Sequence, residues 1–288
     1  MTTRPLPSDD HVHSQFSWDT AGRASMEAAC AEAVELGLPS VAFTEHMDLV
    51  QWYVPANAPD LFPREGAHYV EEDSTFRPPP IDFDDYFAEL ERCRSLFPSL
   101  RIRSGVEFGE PHWFPDDLAA LLGSGRFERV LGSLHSLEID GRRRVLDEWF
   151  HTERIDGEAE AASVRTYLAE VARMAQDGGA FEVVAHIDYL VRQIHKAGRT
   201  HDPRRFEPEY RETLRALARA GRILELNSRL PLDPVLVRWW YEVGGSAISF
   251  GSDAHSAAAV GTGFRDAAAR AEAAGFRPAD DAHDFWRR

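Results

Sequence analysis

Seven short apolar runs in this 288-residue chain end in polar residues, and each is joined to a segment with helical periodicity. The runs close on Asp9-Asp10-His11-Val12-His13, Glu45-His46-Met47-Asp48, Glu107-Phe108-Gly109-Glu110, Ser133-Leu134-His135, His186-Ile187-Asp188, Asn227-Ser228-Arg229 and Asp253-Ala254-His255. Helices are expected near residues 25–36, 84–96, 115–122, 158–177, 209–220, 234–243 and 263–274, the first capped by Ser25 and Gly37. Strand and helix alternating in this way implies parallel strands with crossover helices, in a doubly wound sheet or a barrel. No Gly-x-Gly-x-x-Gly follows the first strand, which disfavours a dinucleotide-binding sheet. A barrel instead gathers residues from separate strand ends into one site. The expectation is therefore an α/β chain forming one barrel domain over residues 1–288. Residues 51–82, rich in proline and charge, are expected to form a loop or lid over the site, with a plain surface insertion as the equal alternative. Residues 138–157 and 192–208 also read as loops.

His11 and His13 lie one residue apart on a predicted strand, so their rings share a face and two imidazoles face one point. Alone this is a weak signal. Its weight comes from the company at the other strand ends: His11, His13, Asp19, Glu45, His46, Glu107, His135, His186, Asp253 and His255. Imidazole and carboxylate without thiolate suit zinc, manganese or iron. So many donors exceed the needs of one tetrahedral ion, and two or three divalent ions sharing carboxylates would use them.

Charge and cysteine content exclude other classes. With 48 acids against 32 bases, the formal charge of −16 repels a phosphate backbone, so no nucleic-acid partner is expected. Two cysteines, Cys30 and Cys93, supply neither a disulfide framework nor a thiolate metal site. No apolar leader and no run of 18 apolar residues is seen, so a soluble, cytoplasmic chain without a membrane partner is expected. Oligomeric state is not legible.

The order His11-x-His13, Asp19, Glu45-His46, Glu107, Ser133-x-His135, His186 and Asp253-x-His255 resembles the polymerase-and-histidinol-phosphatase (PHP) domain family, over about residues 8–276. The resemblance implies a distorted, TIM-like (β/α)7 barrel with a multinuclear metal site at the C-terminal strand edge. It also implies that His11, His13, Glu107 and Asp253 hold a first ion, and Asp19, His46 and His186 a second. Glu107, bridging, would hold a third with His135 and His255. Asp19 departs from the histidine of many members. Glu45 is read as an orienting partner of His46 and Glu110 as a surface acid.

The chemistry implied is metal-dependent phosphomonoester hydrolysis, in which bound ions neutralise ester oxygens and lower the pKa of the attacking water. Arg192 and Arg229 are the candidates to neutralise the transferring phosphoryl group, and His255 or Asp188 to protonate the leaving oxygen. Within the family the chain most resembles the monofunctional histidinol-phosphate phosphatases, which implies L-histidinol phosphate as substrate, with Glu71, Glu72 and Asp73 meeting its amine. The alternatives are a phosphatase or phosphodiesterase for another small phosphorylated metabolite, or a non-catalytic metal-binding regulator.

Overall fold

The computed structural model describes residues 6–20, 22–55, 70–71, 74–153, 155 and 157–288. Strand β1 (Asp9–Val12) leads through helix α1 (Met26–Leu36) to β2 (Ser40–Met47). Ser25 caps α1 by accepting from the Ala28 N–H, and Gly37 ends it in the left-handed conformation. The short strands β3 (Trp52–Tyr53) and β4 (Thr75–Phe76) precede α2 (Phe83–Leu96), whose first turn is capped by the Asp82 carboxylate. Next come β5 (Arg101–Gly109), α3 (Pro115–Leu122) and β6 (Arg129–Ser133). A hairpin of β7 (Ser136–Ile139) and β8 (Arg142–Val145) with α4 (Leu146–Thr152) precedes the long α5 (Gly157–Asp177). The chain continues as β9 (Val183–Val184), α6 (Tyr189–Lys196), α7 (Glu207–Arg219), β10 (Ile223–Asn227), α8 (Pro234–Glu242), β11 (Ala247–Gly251), α9 (Phe264–Ala274) and β12 (Trp286–Arg287).

The main sheet has the order β1-β2-β5-β6-β9-β10-β11-β12. Its first seven strands are parallel, and β12 returns antiparallel to β11. The sheet curls until its ends meet. Val12 bridges Ala254 in parallel sense, the His13 N–H donates to the Ala254 carbonyl, and the Asp253 N–H donates to the His11 carbonyl. Seven parallel strands closed in this way form the TIM-like barrel that the resemblance implied, and closure makes β1 a neighbour of β11. The strands are buried on both faces, as in a sheet lined by its own side chains and covered by helices. A core from Val12 and Phe43 round to Trp240 and Phe264 lies between strands and helices.

Two segments expected to be irregular carry structure. Residues 138–157 contain most of the β7–β8 hairpin and α4. The expected loop from residue 192 is preceded and partly replaced by α6, where Leu190, Val191 and Ile194 form a buried stripe and His195 and Lys196 sit at the favourable C-terminal end. Only the flanks of the expected lid lie within the described residues. There β3 and β4 pair and pack Trp52 and Phe76 against Val50 and Val145. Cys30 and Cys93 are buried free thiols. Among the described residues no helix is long and apolar enough to cross a membrane.

Candidate metal centre

Parallel strands in one barrel deliver all their C-terminal ends to the same rim, and the sequence places its histidines there. Their convergence is tight. His11 Nε2 lies 3.1 Å from His13 Nε2 and 3.1 Å from Glu107 Oε2. The other Glu107 oxygen stands 2.7 Å from His186 Nε2 and 3.3 Å from His135 Nε2, while His46 Nδ1 is 3.1 Å from Oε2. Glu107 is fully buried and central. Asp253 Oδ1 stands 3.6 Å from both His13 Nε2 and His255 Nδ1. Asp19 Oδ2 lies 2.8 Å from His255 Nε2 and 3.6 Å from His46 Nε2.

Four sets of three donor atoms each approach closely enough to share an ion: His11, His13 and Asp253; His11, Glu107 and His186; His46, Glu107 and His135; His13, His46 and His255. All nine expected ligands are thus at one rim. Asp19 faces His255 and His46, and His186 faces Glu107 and His11. The reason is barrel closure, which sets the loop after β1 beside the loop after β11.

Four of the rings, those of His11, His13, His135 and His255, are held from behind. His11 Nδ1 lies 2.6 Å from Glu225 Oε1, which also fixes the backbone because Glu225 Oε2 accepts from the His186 N–H at 2.7 Å. His13 Nδ1 is 3.0 Å from Ser17 Oγ, whose own proton goes to Glu45 Oε2 at 2.6 Å. Since a carboxylate cannot donate, Ser17 must accept from the Nδ1–H of His13. Glu45 therefore orients His13 through Ser17, and touches His46 only through the Ser17 Oγ that accepts its backbone N–H. His135 Nδ1 faces Asp48 at 3.3 Å and His255 Nδ1 faces the Asp253 carbonyl at 2.9 Å. Rings whose Nδ1–H is used in this way present an Nε2 lone pair to the centre. Room is made by glycine. A Cβ at Gly251 would strike Glu225 and His11, and one at Gly109 would strike Asp48.

This arrangement supplies the test of fit. His11 Nε2, His13 Nε2 and the Glu107 carboxylate crowd together, with His11 Nε2 3.1 Å from each of the other two, a packing of nitrogen and oxygen donors that a shared cation would satisfy. The charges agree. Burial, the largest influence on Glu107, pushes its carboxyl up, yet His11, His46 and His135 hold it well below the usual range. Burial pulls His46 down, but Asp19 and Glu107 outweigh it and raise it to about 9. His11 and His135 likewise stand well above an ordinary histidine despite burial. His186 goes the other way, to about 4, because burial dominates. The rim is strongly negative and draws positive charge, so its donor set fits transition-metal ions.

Other expected residues divide. Arg192 is buried on α6, with Nη1 2.6 Å from Asp253 Oδ2, and its Nε and Nη2 have no hydrogen-bond partner among the described residues. Arg229 is half exposed and reaches Asp253 Oδ1 at 3.4 Å. Both line a cavity of about 640 Å³ over the rim, together with His46, His135, His186, Asp253 and His255. Asp188 does not line it. It is buried at the start of α6, its carboxyl raised to about 6 by burial against the opposing pull of Arg192. Glu110 is no surface acid: it is fully buried and accepts from the His135 and Ser136 N–H groups at 2.7 and 2.8 Å, and burial lifts it to about 7. Glu71 pairs loosely with Arg77 on the surface, away from the cavity lining, and Glu72 and Asp73 lie outside the described residues. Sequence reasoning missed Glu225, Asp48 and Ser17.

The fold and the rim together define a class: a parallel barrel whose C-terminal strand edge gathers imidazole and carboxylate donors able to bind metal. The chain belongs to the PHP domain family, which it matches over residues 9–229. It is 27% identical over 258 residues to a histidinol-phosphatase of Lactococcus lactis subsp. lactis (strain IL1403), covering 86% of this chain and 84% of that one. It is 25% identical over 283 residues to a probable histidinol-phosphatase of Clostridium acetobutylicum, covering 94% of each. The fold matches, at TM-score 0.70, 23% identity and 95% coverage of both chains, the crystal structure of histidinol phosphate phosphatase from Lactococcus lactis subsp. lactis Il1403 complexed with zinc, L-histidinol and phosphate.

Proposed function

We propose that this chain is a metal-dependent phosphomonoester hydrolase that converts L-histidinol phosphate to L-histidinol and phosphate. The observation that carries the reading is Glu107, a buried carboxylate in contact with His11, His46, His135 and His186, the last three of which line a cavity edged by Arg192 and Arg229. The family match and the histidinol-phosphatase relatives support it and narrow the substrate.

Two or three zinc, manganese or iron ions are proposed to be held by His11, His13, Asp19, His46, Glu107, His135, His186, Asp253 and His255. Bound there, such ions supply charge neutralisation for the ester oxygens and acidify a water for attack on phosphorus. The protein's own part is positioning. Glu225, Ser17 and Asp48 fix ring tautomers so that each Nε2 keeps its lone pair. Arg192, anchored through Nη1, offers Nε and Nη2 to phosphoryl oxygens, and Arg229 closes over the same group from the mouth. His255 is assigned to the ligand set, with its Nδ1 beside the Asp253 carbonyl and its Nε2 beside Asp19. It remains, with Asp188, a candidate proton donor to the leaving oxygen. One barrel domain in the cytoplasm accords with the continuous sheet and the two free thiols.

The test is phosphate release from a panel of phosphomonoesters with Mn²⁺, Zn²⁺ or Fe²⁺ supplied. Histidinol phosphate is expected to exceed p-nitrophenyl phosphate in kcat/KM by well over tenfold, and equal values would discard the substrate assignment.

A further inference from the structure

The cavity has a floor of histidines and a far wall built by one face of α6. Tyr189, Arg192, Gln193 and Lys196, spaced i, i+3, i+4 and i+7, all line it. Tyr189 lays its ring 5.0 Å from the rings of both His135 and His186 and donates its hydroxyl to Asp147 at the start of α4. Asp147 therefore stands one phenol beyond the metal-binding histidines. Its second oxygen holds the ammonium of Lys196 at 2.7 Å. Lys196 is half exposed, whereas Asp147 is largely covered. Beside them Gln193 is 1% exposed, yet neither its Oε1 nor its Nε2 has a hydrogen-bond partner among the described residues. Buried amides with both ends unpaired are rare in folded proteins, and one in a cavity wall points to a ligand group.

We propose that Asp147 and Gln193 read the organic half of the phosphoester, and that Lys196 is a placeholder whose ammonium leaves Asp147 when a cationic substrate group arrives. This rests on the phosphomonoesterase reading above and deepens it. A primary ammonium or protonated azole on the substrate offers Asp147 the same charged N–H donor that Lys196 gives it, so the exchange conserves a charge-assisted hydrogen bond. Lys196 is displaced at little cost, because the arriving cation replaces the bond it gives up and its flexible stem returns the ammonium to water. A neutral leaving group has no donor of equal strength and meets an occupied carboxylate. Gln193 adds one donor and one acceptor, the complement of an azole N–H and ring nitrogen. The acid proposed here to select a cation is thus on α4.

Asp147→Asn and Lys196→Ala, metal-loaded, are compared on histidinol phosphate and p-nitrophenyl phosphate. Asp147→Asn is expected to raise the ratio of the two KM values at least tenfold. Lys196→Ala, a surface change on the end of α6, is expected to lower KM for histidinol phosphate at least threefold by removing the competitor. An unchanged ratio, or a Lys196→Ala enzyme with raised KM for both esters, overturns the proposal and makes Lys196 a phosphate contact. If the unmodified enzyme shows no preference for histidinol phosphate, the substrate assignment fails by itself. The placeholder is then decided on 2-aminoethyl phosphate against ethyl phosphate, where the same two shifts must appear for the amine alone.

Discussion

Glu225 is the residue whose replacement best separates a metal centre from a merely polar rim. It is buried beneath the cluster with three donors on two oxygens: His11 Nδ1 at 2.6 Å, the His186 N–H at 2.7 Å and Asn227 Nδ2 at 3.1 Å. Glu225→Gln keeps the shape and turns one acceptor into a donor. If the new NH₂ faces His11, the ring must give up its Nδ1 proton, protonate Nε2 and cease to be a ligand. If it faces His186, a buried backbone N–H loses its acceptor, which costs about 1–3 kcal/mol. Loss of an orienting partner lowers metal affinity about 10–100-fold, which at about 1.4 kcal/mol per tenfold is about 1.4–2.8 kcal/mol. The two routes agree in size. The assay is competition with a chromophoric chelator, giving Kd for the tightest ion. The same substitution is then made in a His11→Ala background, where its effect should shrink because the ring it orients is gone. Unchanged affinity in Glu225→Gln, or an undiminished effect without His11, refutes the orienting role.

Two further outcomes follow from the charges. His46 has a folded-state pKa of about 9 against an ordinary 6.5, so the stability it contributes is complete below pH 6.5 and is lost as pH rises through about 9. Chelator-treated protein should therefore melt at lower temperature as pH rises across that window, while metal-loaded protein should not, and a flat metal-free profile would show the rim to be less negative than its geometry implies. The two arginines should part company. Arg192→Ala strands the buried Asp253 carboxylate, which costs about 3–5 kcal/mol and lowers metal retention with activity, whereas Arg229→Ala, half exposed, should change stability by less than about 1 kcal/mol while reducing kcat, as melts and turnover on one preparation would show.

How much of this was legible in the sequence depends on whether the signal was local. The period-two spacing of His11 and His13 and the polar endings of apolar runs are local patterns, and they led to a barrel with its site at one rim. Glu225 had a local signal that went unread: a lone acid within Ile-Leu-Glu-Leu-Asn, in a strand whose interior is otherwise apolar, needs a charged partner. α6 went partly unread because eight residues give barely two turns of periodicity, and their meaning comes from packing Leu190 and Ile194 into the core. Contacts between distant strand ends were not legible at all. Asp19 meets His255 because barrel closure brings the two ends of the chain's strand order together, a contact 236 residues apart that no spacing encodes. Glu110 misled for a related reason: an acid after a strand reads as solvent-facing, and only the hairpin that follows β6 buries it.

Backbone conformation ties the site to the closure of the barrel. Among the described residues five non-glycine residues have positive φ, and three of them, Glu110 at 47°, His186 at 22° and Asp253 at 53°, lie where a strand turns into the rim. Such conformations cost of order 1–3 kcal/mol each and persist only where their surroundings over-determine them. Here the surroundings are the cluster's own framework. The Glu110 N–H donates to the Ser133 carbonyl while its carboxylate takes the His135 N–H, the His186 N–H is held by Glu225, and Asp253 is fixed by the His11 carbonyl and Arg192. Asp9 adds the last tie, accepting from the Ser252 and Gly261 N–H groups across the seam between β1 and β11. At Asp253 a hydrogen bond that closes the barrel is thus also one that holds a strained residue in position to offer a ligand. A change that loosens the seam must loosen the metal centre with it, and bound metal must in turn stabilise the closed barrel.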